Sequence, residues 1–457
     1  MGTIFQLIND GVIFYANWIW GTPLLILLMG GGIYFVIYSR FIPYRYFFHA
    51  INVLRGKYDV PGEEGEISHY EALSTALAAT VGMGNVSGVA VAITMGGPGA
   101  IFWMWVSAIV GMVTKYFTIT LAVLFRGKDD LGNTQGGPMY VIEEGMGKKW
   151  RPLGVFFSLT AMIGVLPIFQ ANQLTKVIRD VILVPNGIDQ GVTSKWIIGI
   201  SLMVIVSVVI FGGIKRIAKI AGKLVPLMVV IYFLSVLYII ISNYDVVPES
   251  FILIFTDAFT GDAVLGGAVG SIIIIGAKRA AFSNEAGIGT APMVQGQAKT
   301  NEPVREGLVG MLGPAIDTLL VCTLTALAIL VTGTWTEAGI DGITVTVHAF
   351  NKGIPFIGSY VLFLAVLIFA ITSLFSLSYY GEKSLAFIIG RKKAHYYRIV
   401  YVLSVILGAV ASLTFIINLI DAAYAMMAIP TMISALWLSP KVMEETKKYF
   451  AKMKGKL

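Results

Sequence analysis

Long apolar stretches follow one another along the whole chain, and short segments rich in charge, glycine and proline separate them. A helix of about 18 or more apolar residues is long enough to cross a hydrocarbon core about 30 Å thick. Membrane β-strands would instead alternate apolar and polar residues over about ten positions. The pattern therefore predicts an all-α polytopic membrane protein with eleven transmembrane helices. Their expected ranges are residues 15–39, 69–96, 100–125, 153–184, 195–213, 220–242, 264–290, 304–333, 356–381, 396–418 and 420–438.

Composition supports this prediction and excludes most soluble classes of protein. Of 457 residues, 56% are hydrophobic and only 13% are charged, about half of the 25% typical of soluble domains. So few charges cannot cover so much apolar surface in water. Soluble enzymes, nucleic-acid-binding proteins, coiled coils and disordered chains are therefore excluded.

The positions of the basic residues predict the orientation of the chain. One alternate set of predicted loops, together with the tail, holds most of the 33 lysines and arginines, whereas the opposite loops hold only Lys195 and Lys352. Basic residues accumulate on the cytoplasmic side of membrane proteins. We therefore expect a multi-pass protein of the cell membrane with its N-terminus outside and its C-terminus inside. The net charge of +7 is then explained by topology and by contact with anionic lipids, with no nucleic acid and no obligate protein partner expected.

Two of the predicted helices contain breaks. The span 69–96 carries Gly82, Gly84 and Asn85-x-x-Gly88, and the span 264–290 carries Asn284-x-x-Gly287. The two motifs lie on the second and the seventh predicted helix, an offset of five helices, and an odd offset places the two units in opposite orientations. Broken helices at matching positions of an inverted repeat are typical of the binding sites of secondary transporters.

The physics of a broken helix suggests what such a site would hold. Glycine costs about 1 kcal/mol in a helix interior, and unwound backbone at membrane depth is tolerated only in a cavity or inside the protein. The exposed helix ends carry about half a charge each, so they suit a carboxylate, an ammonium group or Na+. A zwitterionic amino acid fits this description. Close packing of membrane helices through small residues is the alternative, but two breaks at corresponding positions favour binding.

Four motifs give the chain a resemblance to a known family. They are Thr80-Val81-Gly82-Met83-Gly84-Asn85, Met95-Gly96-Gly97-Pro98-Gly99-Ala100-Ile101-Phe102-Trp103-Met104-Trp105, Gly136-Gly137-Pro138-Met139-Tyr140 and Phe282-Ser283-Asn284-Glu285-Ala286-Gly287-Ile288-Gly289. The chain resembles, over nearly its whole length, the alanine or glycine:cation symporter family of the amino acid–polyamine–organocation superfamily. The resemblance implies Na+-coupled uptake of alanine and glycine by alternating access, with coupling to protons as the alternative. Na+ would be the coupling ion, and no organic cofactor is expected.

The resemblance also implies the leucine-transporter (LeuT) fold, a 5+5 inverted repeat. Residues 1–68 would form an extra N-terminal transmembrane helix and a cytoplasmic loop. Residues 69–242 would form the first five-helix repeat, and residues 243–440 the second, inverted one. Residues 441–457 would form a basic cytoplasmic tail.

Two sets of site residues follow from the resemblance, with Gln170 added because it is polar near the middle of a span. The expected substrate-binding residues are Thr80, Gly82, Gly84, Asn85, Gln170, Phe282, Ser283, Asn284 and Gly287. The expected Na+ ligands are carbonyls of Ala78, Val81 and Phe369 and hydroxyls of Thr372 and Ser373. Phe282 is the candidate for limiting the space for the substrate side chain.

Several charged residues inside the spans need a role. Asp317 should be paired, because an intramembrane carboxylate is costly, and Lys278 and Arg279 are its candidate partners. Glu285 is expected to act in a gate or a polar network. Lys223 leaves proton coupling open, since in proton-coupled relatives of the fold a lysine of that helix replaces Na+. An intramembrane enzyme and a channel are the remaining alternatives, to be separated from a symporter by product formation and by saturable, gradient-driven accumulation.

Overall fold

A computed structural model describes residues 2–211, 213–259 and 268–455, with side chains described for residues 10–211, 223, 224, 226, 227, 229–259 and 272–455. Parts of the predicted spans 195–213 and 264–290, and the ends of segments 1–68 and 441–457, therefore lie outside the described residues.

Helices make up nearly all of the described secondary structure. The α-helices are Gly2–Ile19, Thr22–Leu25, Gly31–Tyr38, Ile42–Arg45, Phe47–Leu54, His69–Thr80, Val89–Gly96, Gly99–Leu124, Pro138–Tyr140, Arg151–Gly164, Ile168–Ile178, Val192–Ile210, Gly213–Ser242, Val247–Asp257, Ala268–Asn284, Thr290–Gln295, Pro303–Pro314, Thr323–Thr332, Ile343–Gly353, Gly358–Ile389, Arg391–Ala394, Tyr396–Val410, Leu413–Trp437 and Ser439–Met453. Wider π-helical turns occupy Ile26–Gly30, Gly84–Gly88, Val141–Met146, Arg179–Leu183 and Ala315–Cys322, and 3-10 turns occupy Lys148–Trp150 and Thr334–Thr336. One antiparallel pair of strands, Gly127–Lys128 and Thr134–Gln135, lies in a loop with Gly127 opposite Gln135.

Six helical segments of the described chain are long and apolar enough to cross a membrane. They are Gly99–Leu124, Lys148–Leu183, Val192–Ile210, Pro303–Thr332, Gly358–Ile389 and Leu413–Trp437. Three bent pairs raise the number to nine if each pair is one span, and one of them joins His69–Thr80 to Gly84–Gly96 at 49°. The class predicted from the sequence, an all-α polytopic membrane protein, is confirmed.

Glycines bring neighbouring helices close together in this bundle. Gly307, Gly310 and Gly313 face the Gly99–Leu124 helix, and a β-carbon added at Gly307 would lie only 2.0 Å from the hydroxyl oxygen of Thr120. Small residues at such spacing allow membrane helices to pack with their backbones nearly touching.

The structure corrects the predicted boundaries in several places. The helices Val247–Asp257 and Ile343–Gly353 lie in stretches that were expected to be loops. The boundary predicted between 418 and 420 is wrong, because the break lies at residues 411–412. There Ser412 adopts extended backbone, and its hydroxyl accepts a hydrogen bond from the Phe415 N–H at 3.4 Å. This cap stands in an uncharged apolar stretch, so hydropathy alone could not reveal it.

The basic loops predicted to share one side of the membrane do come together. Arg126 donates to the carbonyls of Gly296 and Thr300, at 2.8 and 2.9 Å, and Arg391 pairs with Asp129 at 3.0 Å. Burial alone would raise the pKa of Asp129, but hydrogen bonds from Asn133 and Arg391 lower it below its ordinary value. We call this side, formed by residues 40–68, 126–150, 296–302, 390–395 and 439–453, the basic face.

The opposite loops meet at the other end of the bundle. Lys176 forms an ion pair with Asp341, and Arg179 pairs with Asp189 at 2.6 Å. We call this end, formed by residues 97–98, 184–191 and 333–342, the outer-loop face. The described loops therefore group at two ends of the bundle.

Candidate functional site

The first break lies where the glycine pattern predicts it. The helix His69–Thr80 ends, and Val81 adopts extended backbone with φ −73° and ψ 101°. The N–H of Gly82 then donates to the side-chain oxygen of Asn85 at 2.7 Å. A β-carbon at Gly82 would lie 2.7 Å from the Ser373 hydroxyl oxygen, so glycine is needed for the break to approach the Gly358–Ile389 helix.

The second break follows Asn284. Glu285, Gly287 and Gly289 have positive φ values of 56°, 82° and 106°, and helical geometry resumes at Thr290. A non-glycine residue rarely adopts such a conformation, which makes Glu285 a strained position. Its carboxylate accepts hydrogen bonds from Thr290 and from Tyr424, the latter at 2.8 Å. Glu285 thus lies in a buried polar network, as predicted.

The two broken helices cross in the interior. The side-chain amide of Asn85 donates to the Ser283 hydroxyl at 3.2 Å, and a β-carbon at Gly84 would lie 3.5 Å from both Phe282 and Ser283. Asn85 and Ser283 are fully buried. The structure therefore brings these four predicted site residues together.

Asp317 joins this crossing from the Pro303–Thr332 segment. Its carboxylate accepts hydrogen bonds from Asn85 at 2.7 Å, Ser283 at 2.6 Å and Thr318 at 2.7 Å. Asn284 donates to Thr318 at 2.9 Å. Asp317 is thus bonded to both broken helices at once.

The expected pairing of Asp317 with Lys278 or Arg279 is wrong. Both basic residues form ion pairs with Asp421 of the Leu413–Trp437 helix, Lys278 at 2.9 Å. Arg279 precedes Ser283 by about one helical turn, and so lies nearer the outer-loop face than the crossing at which Asp317 is bonded.

Aromatic side chains enclose Phe282. Its ring lies 4.8 Å from the ring of Phe169 and 5.9 Å from that of Tyr424, centroid to centroid. Gln170 follows Phe169, and its side-chain oxygen is buried with no hydrogen-bond partner among the described residues. A buried acceptor of this kind is a candidate for binding a polar ligand.

Three of the predicted cation ligands, Ala78, Phe369 and Ser373, lie together beside the first break, whereas the Thr372 hydroxyl is bonded to carbonyls of its own helix. The Ser373 hydroxyl donates to the carbonyl of Ala78 at 2.9 Å, and the Thr372 hydroxyl donates to the carbonyl of Phe369 at 3.0 Å. A β-carbon at Gly82, next to Val81, would lie 3.5 Å from that same Phe369 oxygen. Carbonyl and hydroxyl oxygens of two helices thus meet beside the first break, a donor set that suits a hard monovalent cation.

Two of the predicted substrate-binding residues, Thr80 and Gly287, make their contacts away from the crossing of the two broken helices. Thr80 donates its hydroxyl proton back to Ala76 at 3.1 Å, within its own helix. Gly287 packs against Leu28 and Met432, so it shapes the second break from the side facing the N-terminal helices.

Sequence reasoning missed two parts of the site. Lys115, only 3% exposed in the middle of Gly99–Leu124, interacts electrostatically with Glu285 and Asp317. A lysine inside an apolar run was the available signal. Ser87 donates to Gln173 at 2.6 Å, and this contact depends on helix rotation, which the sequence pattern does not reveal.

An all-α membrane bundle whose two broken helices cross in a buried polar centre is the architecture of a secondary transporter. The comparison with known families agrees with this class. The chain belongs to the sodium:alanine symporter family, which matches residues 5–457.

Similar proteins include three with descriptive names. The sodium/alanine symporter AgcS of Methanococcus maripaludis is 39% identical over 441 residues, 95% of either chain. The probable sodium/glutamine symporter GlnT of Bacillus subtilis is 34% identical over 452 residues, covering 98% of this chain and 92% of the relative. The putative sodium/proton-dependent alanine carrier YrbD of the same organism is 37% identical over 387 residues, covering 81% and 77%.

Family membership confirms the class and the coarse function. The chain is a transporter, which excludes the intramembrane enzyme, and the family is one of Na+-coupled amino-acid symport. Na+ is accordingly the coupling ion implied for this chain.

Proposed function

We propose that the protein imports alanine and glycine with Na+ by alternating access. The observation that carries this proposal is the buried crossing at which Asn85 of one break is bonded to Ser283 of the other. In the proposed architecture, eleven transmembrane helices form a LeuT-type fold. Residues 69–242 and 243–440 are its two inverted repeats, after an extra N-terminal helix in 1–68 and before a basic tail in 441–457.

The substrate would bind between the two breaks. N–H groups around Gly82 and Gly84 would hold the carboxylate, which would compete with the Asn85 side chain now bonded to Gly82. Carbonyl and hydroxyl oxygens around Phe282, Ser283 and Asn284 would hold the ammonium group. The enclosed ring of Phe282 leaves little room for a side chain, which favours alanine and glycine over the glutamine in the name of one relative.

Na+ would bind beside the first break. There the hydroxyls of Ser373 and Thr372, which now donate to the carbonyls of Ala78 and Phe369, would rotate so that these hydroxyl and carbonyl oxygens face the ion, with the Val81 carbonyl as a further ligand. Lys223 is exposed at the surface, a position that disfavours it as a substitute for the ion and so favours Na+ over protons.

The orientation follows from charge. The basic face would be cytoplasmic, because lysine and arginine accumulate on that side. The N-terminus would then be extracellular and the C-terminus cytoplasmic, in the plasma membrane and in contact with its anionic lipids.

A competition experiment tests the substrate. Proteoliposomes with an inward Na+ gradient take up labelled alanine in the presence of a tenfold excess of unlabelled glycine, alanine or glutamine. The proposal predicts inhibition by glycine and alanine and little by glutamine, and Phe282→Ala should increase inhibition by glutamine. Stronger inhibition of the wild type by glutamine than by glycine would contradict the proposed substrate class.

A further inference from the structure

A cavity on the basic face lies between the short helix Ile42–Arg45 and the C-terminal helix Ser439–Met453. Its volume is about 490 Å³, within the range of about 300–1,000 Å³ typical of small-molecule sites. The cations Arg45, Lys447 and Lys454 are among the residues that line it, and we call it the basic cavity. None of the residues proposed to bind the transported amino acid or Na+ lines it.

The three cations of the basic cavity differ from their neighbours in having no acidic partner. Within the described part of the chain, none of them forms an ion pair with a carboxylate. Other lysines of the same C-terminal helix are paired, Lys441 and Lys448 with Glu444, and Lys452 with Glu302. Positive charge is therefore left unneutralised around one cavity, and this charge favours an anionic ligand there.

Buried contacts hold the walls of the basic cavity in place. The ring of Tyr46 stacks on that of Phe450, with the ring centroids 3.8 Å apart. Thr446 is hydrogen-bonded at 2.6 Å to Tyr116 of the Gly99–Leu124 helix, so the C-terminal helix is fixed to the bundle. The basic cavity is thus a preformed space with an aromatic wall and exposed cations.

The position of the basic cavity along the chain indicates where such an anion comes from. Its two helices begin just after Thr22–Tyr38 and Leu413–Trp437, two segments that are counted among the candidate membrane spans. The aromatic side chains of Phe41 and Phe48 lie on either side of Arg45 in the sequence, and they are 51% and 79% exposed. Large apolar side chains exposed at the end of a membrane span face lipid, so the available anion is a lipid headgroup.

We propose that the basic cavity is a binding site for one anionic phospholipid, with Arg45, Lys447 and Lys454 around the headgroup phosphate and the acyl chains along Phe41 and Phe48. Basic pockets beside membrane helices bind such headgroups. Phosphatidylcholine also carries a quaternary ammonium group, which the three cations repel, so the site prefers phosphatidylglycerol. This is a single defined site, in addition to the diffuse attraction of the basic face to anionic lipids.

The test is the affinity of the purified full-length protein in detergent for phosphatidylglycerol that carries a fluorescent group on one acyl chain. The wild type should bind it saturably, and more tightly than phosphatidylcholine with the same label. Arg45→Gln combined with Lys447→Gln should weaken binding about tenfold or more, because each basic side chain near the phosphate contributes to binding. The matched control combines Lys441→Gln with Lys448→Gln. It removes the same charge at exposed positions outside the cavity and should change the affinity little.

Three outcomes would overturn the proposed site. Equal weakening by both pairs of substitutions would mean that binding follows the total charge of the basic face. Equal affinity of the wild type for phosphatidylglycerol and phosphatidylcholine would exclude selection of an anionic headgroup. Displacement of the labelled lipid by an equal concentration of inorganic phosphate would assign the cavity to free phosphate instead. Lys454→Gln, an exposed position at the end of the C-terminal helix, should also weaken binding and serves if the first pair does not fold.

Discussion

Gly82 lies where the first break touches the helix that carries the proposed cation ligands. A β-carbon there would lie 2.7 Å from the Ser373 hydroxyl oxygen, whereas one at Gly88 would make an ordinary contact of 3.6 Å with Phe282. Gly82→Ala should therefore separate the cation ligands and weaken the apparent Na+ affinity of transport by about tenfold or more, about 1.4 kcal/mol. Gly88→Ala is the matched control and should change it little. The measurement is uptake as a function of Na+ concentration, and equal effects of both substitutions would contradict the cation site.

Asp317 provides a second prediction for a single residue. Its carboxylate accepts three hydrogen bonds that orient Asn85, Ser283 and Thr318. In Asp317→Asn an N–H₂ group replaces one accepting oxygen, so a buried donor loses its acceptor at a cost of about 1–3 kcal/mol.

Uptake by Asp317→Asn should accordingly fall at least tenfold while the protein is still inserted in the membrane. Glu444→Gln removes an exposed carboxylate of the C-terminal helix Ser439–Met453 and should leave uptake unchanged. Normal uptake by Asp317→Asn, when variant and wild-type protein are present in equal amounts in the membrane, would show that transport does not need the hydrogen bonds of the Asp317 carboxylate.

Individual residues of the site were predictable to different degrees. Asn85 and Ser283 could be located because glycine and asparagine interrupt otherwise apolar helices. The hydrogen-bond partners of Asp317 could not be predicted, because they depend on the depth and rotation of helices that are distant in sequence. The sequence shows Lys115 within an apolar run, but it does not indicate that Lys115 lies near Glu285 and Asp317.

At the scale of elements, the short helix after the second break is attached to its surroundings by basic side chains. The ammonium of Lys383 donates to the Met293 carbonyl at 2.6 Å and to the Tyr379 hydroxyl at 3.3 Å. Arg126 binds the carbonyls that follow, at Gly296 and Thr300. The Lys383 bond joins the helix Thr290–Gln295 to the Gly358–Ile389 helix, which carries the proposed cation ligands. The Arg126 bonds attach the residues that follow to the end of the Gly99–Leu124 helix.

Removing the lysine should loosen this element. In Lys383→Met the Met293 carbonyl loses its buried donor, so amide hydrogens of residues 290–300 should exchange with solvent several times faster, as measured by mass spectrometry. Lys392→Met, at an exposed position of the same face, should leave their exchange unchanged. Identical exchange in both variants would mean that Lys383 does not hold the segment.

The elements themselves were only partly predictable. The two breaks were found because glycine clusters mark them. The helices Val247–Asp257 and Ile343–Gly353 have only 11 residues each, so apolar stretches of membrane-spanning length do not predict them. The break at Ser412 was misplaced because a single capping hydroxyl defines it within apolar sequence.

The whole molecule presents one basic face and one outer-loop face, and charge predicts which is cytoplasmic. Cys322 is the only cysteine of the chain, so a Cys322→Ala background allows single cysteines to report topology. Thr193→Cys, near the outer-loop face, should react with an impermeant maleimide in intact cells. Lys149→Cys, on the basic face, should react only after permeabilisation. The reverse pattern would invert the proposed orientation.

The most direct test of the central claim is accumulation of labelled alanine in proteoliposomes under an inward Na+ gradient, compared with an equal K+ gradient. The account predicts uphill accumulation with Na+ alone, and its loss when Thr372→Ala and Ser373→Ala are combined, because both hydroxyls of the proposed cation site are then gone. Accumulation that follows a pH gradient and is unaffected by the double substitution would contradict Na+ coupling at this site.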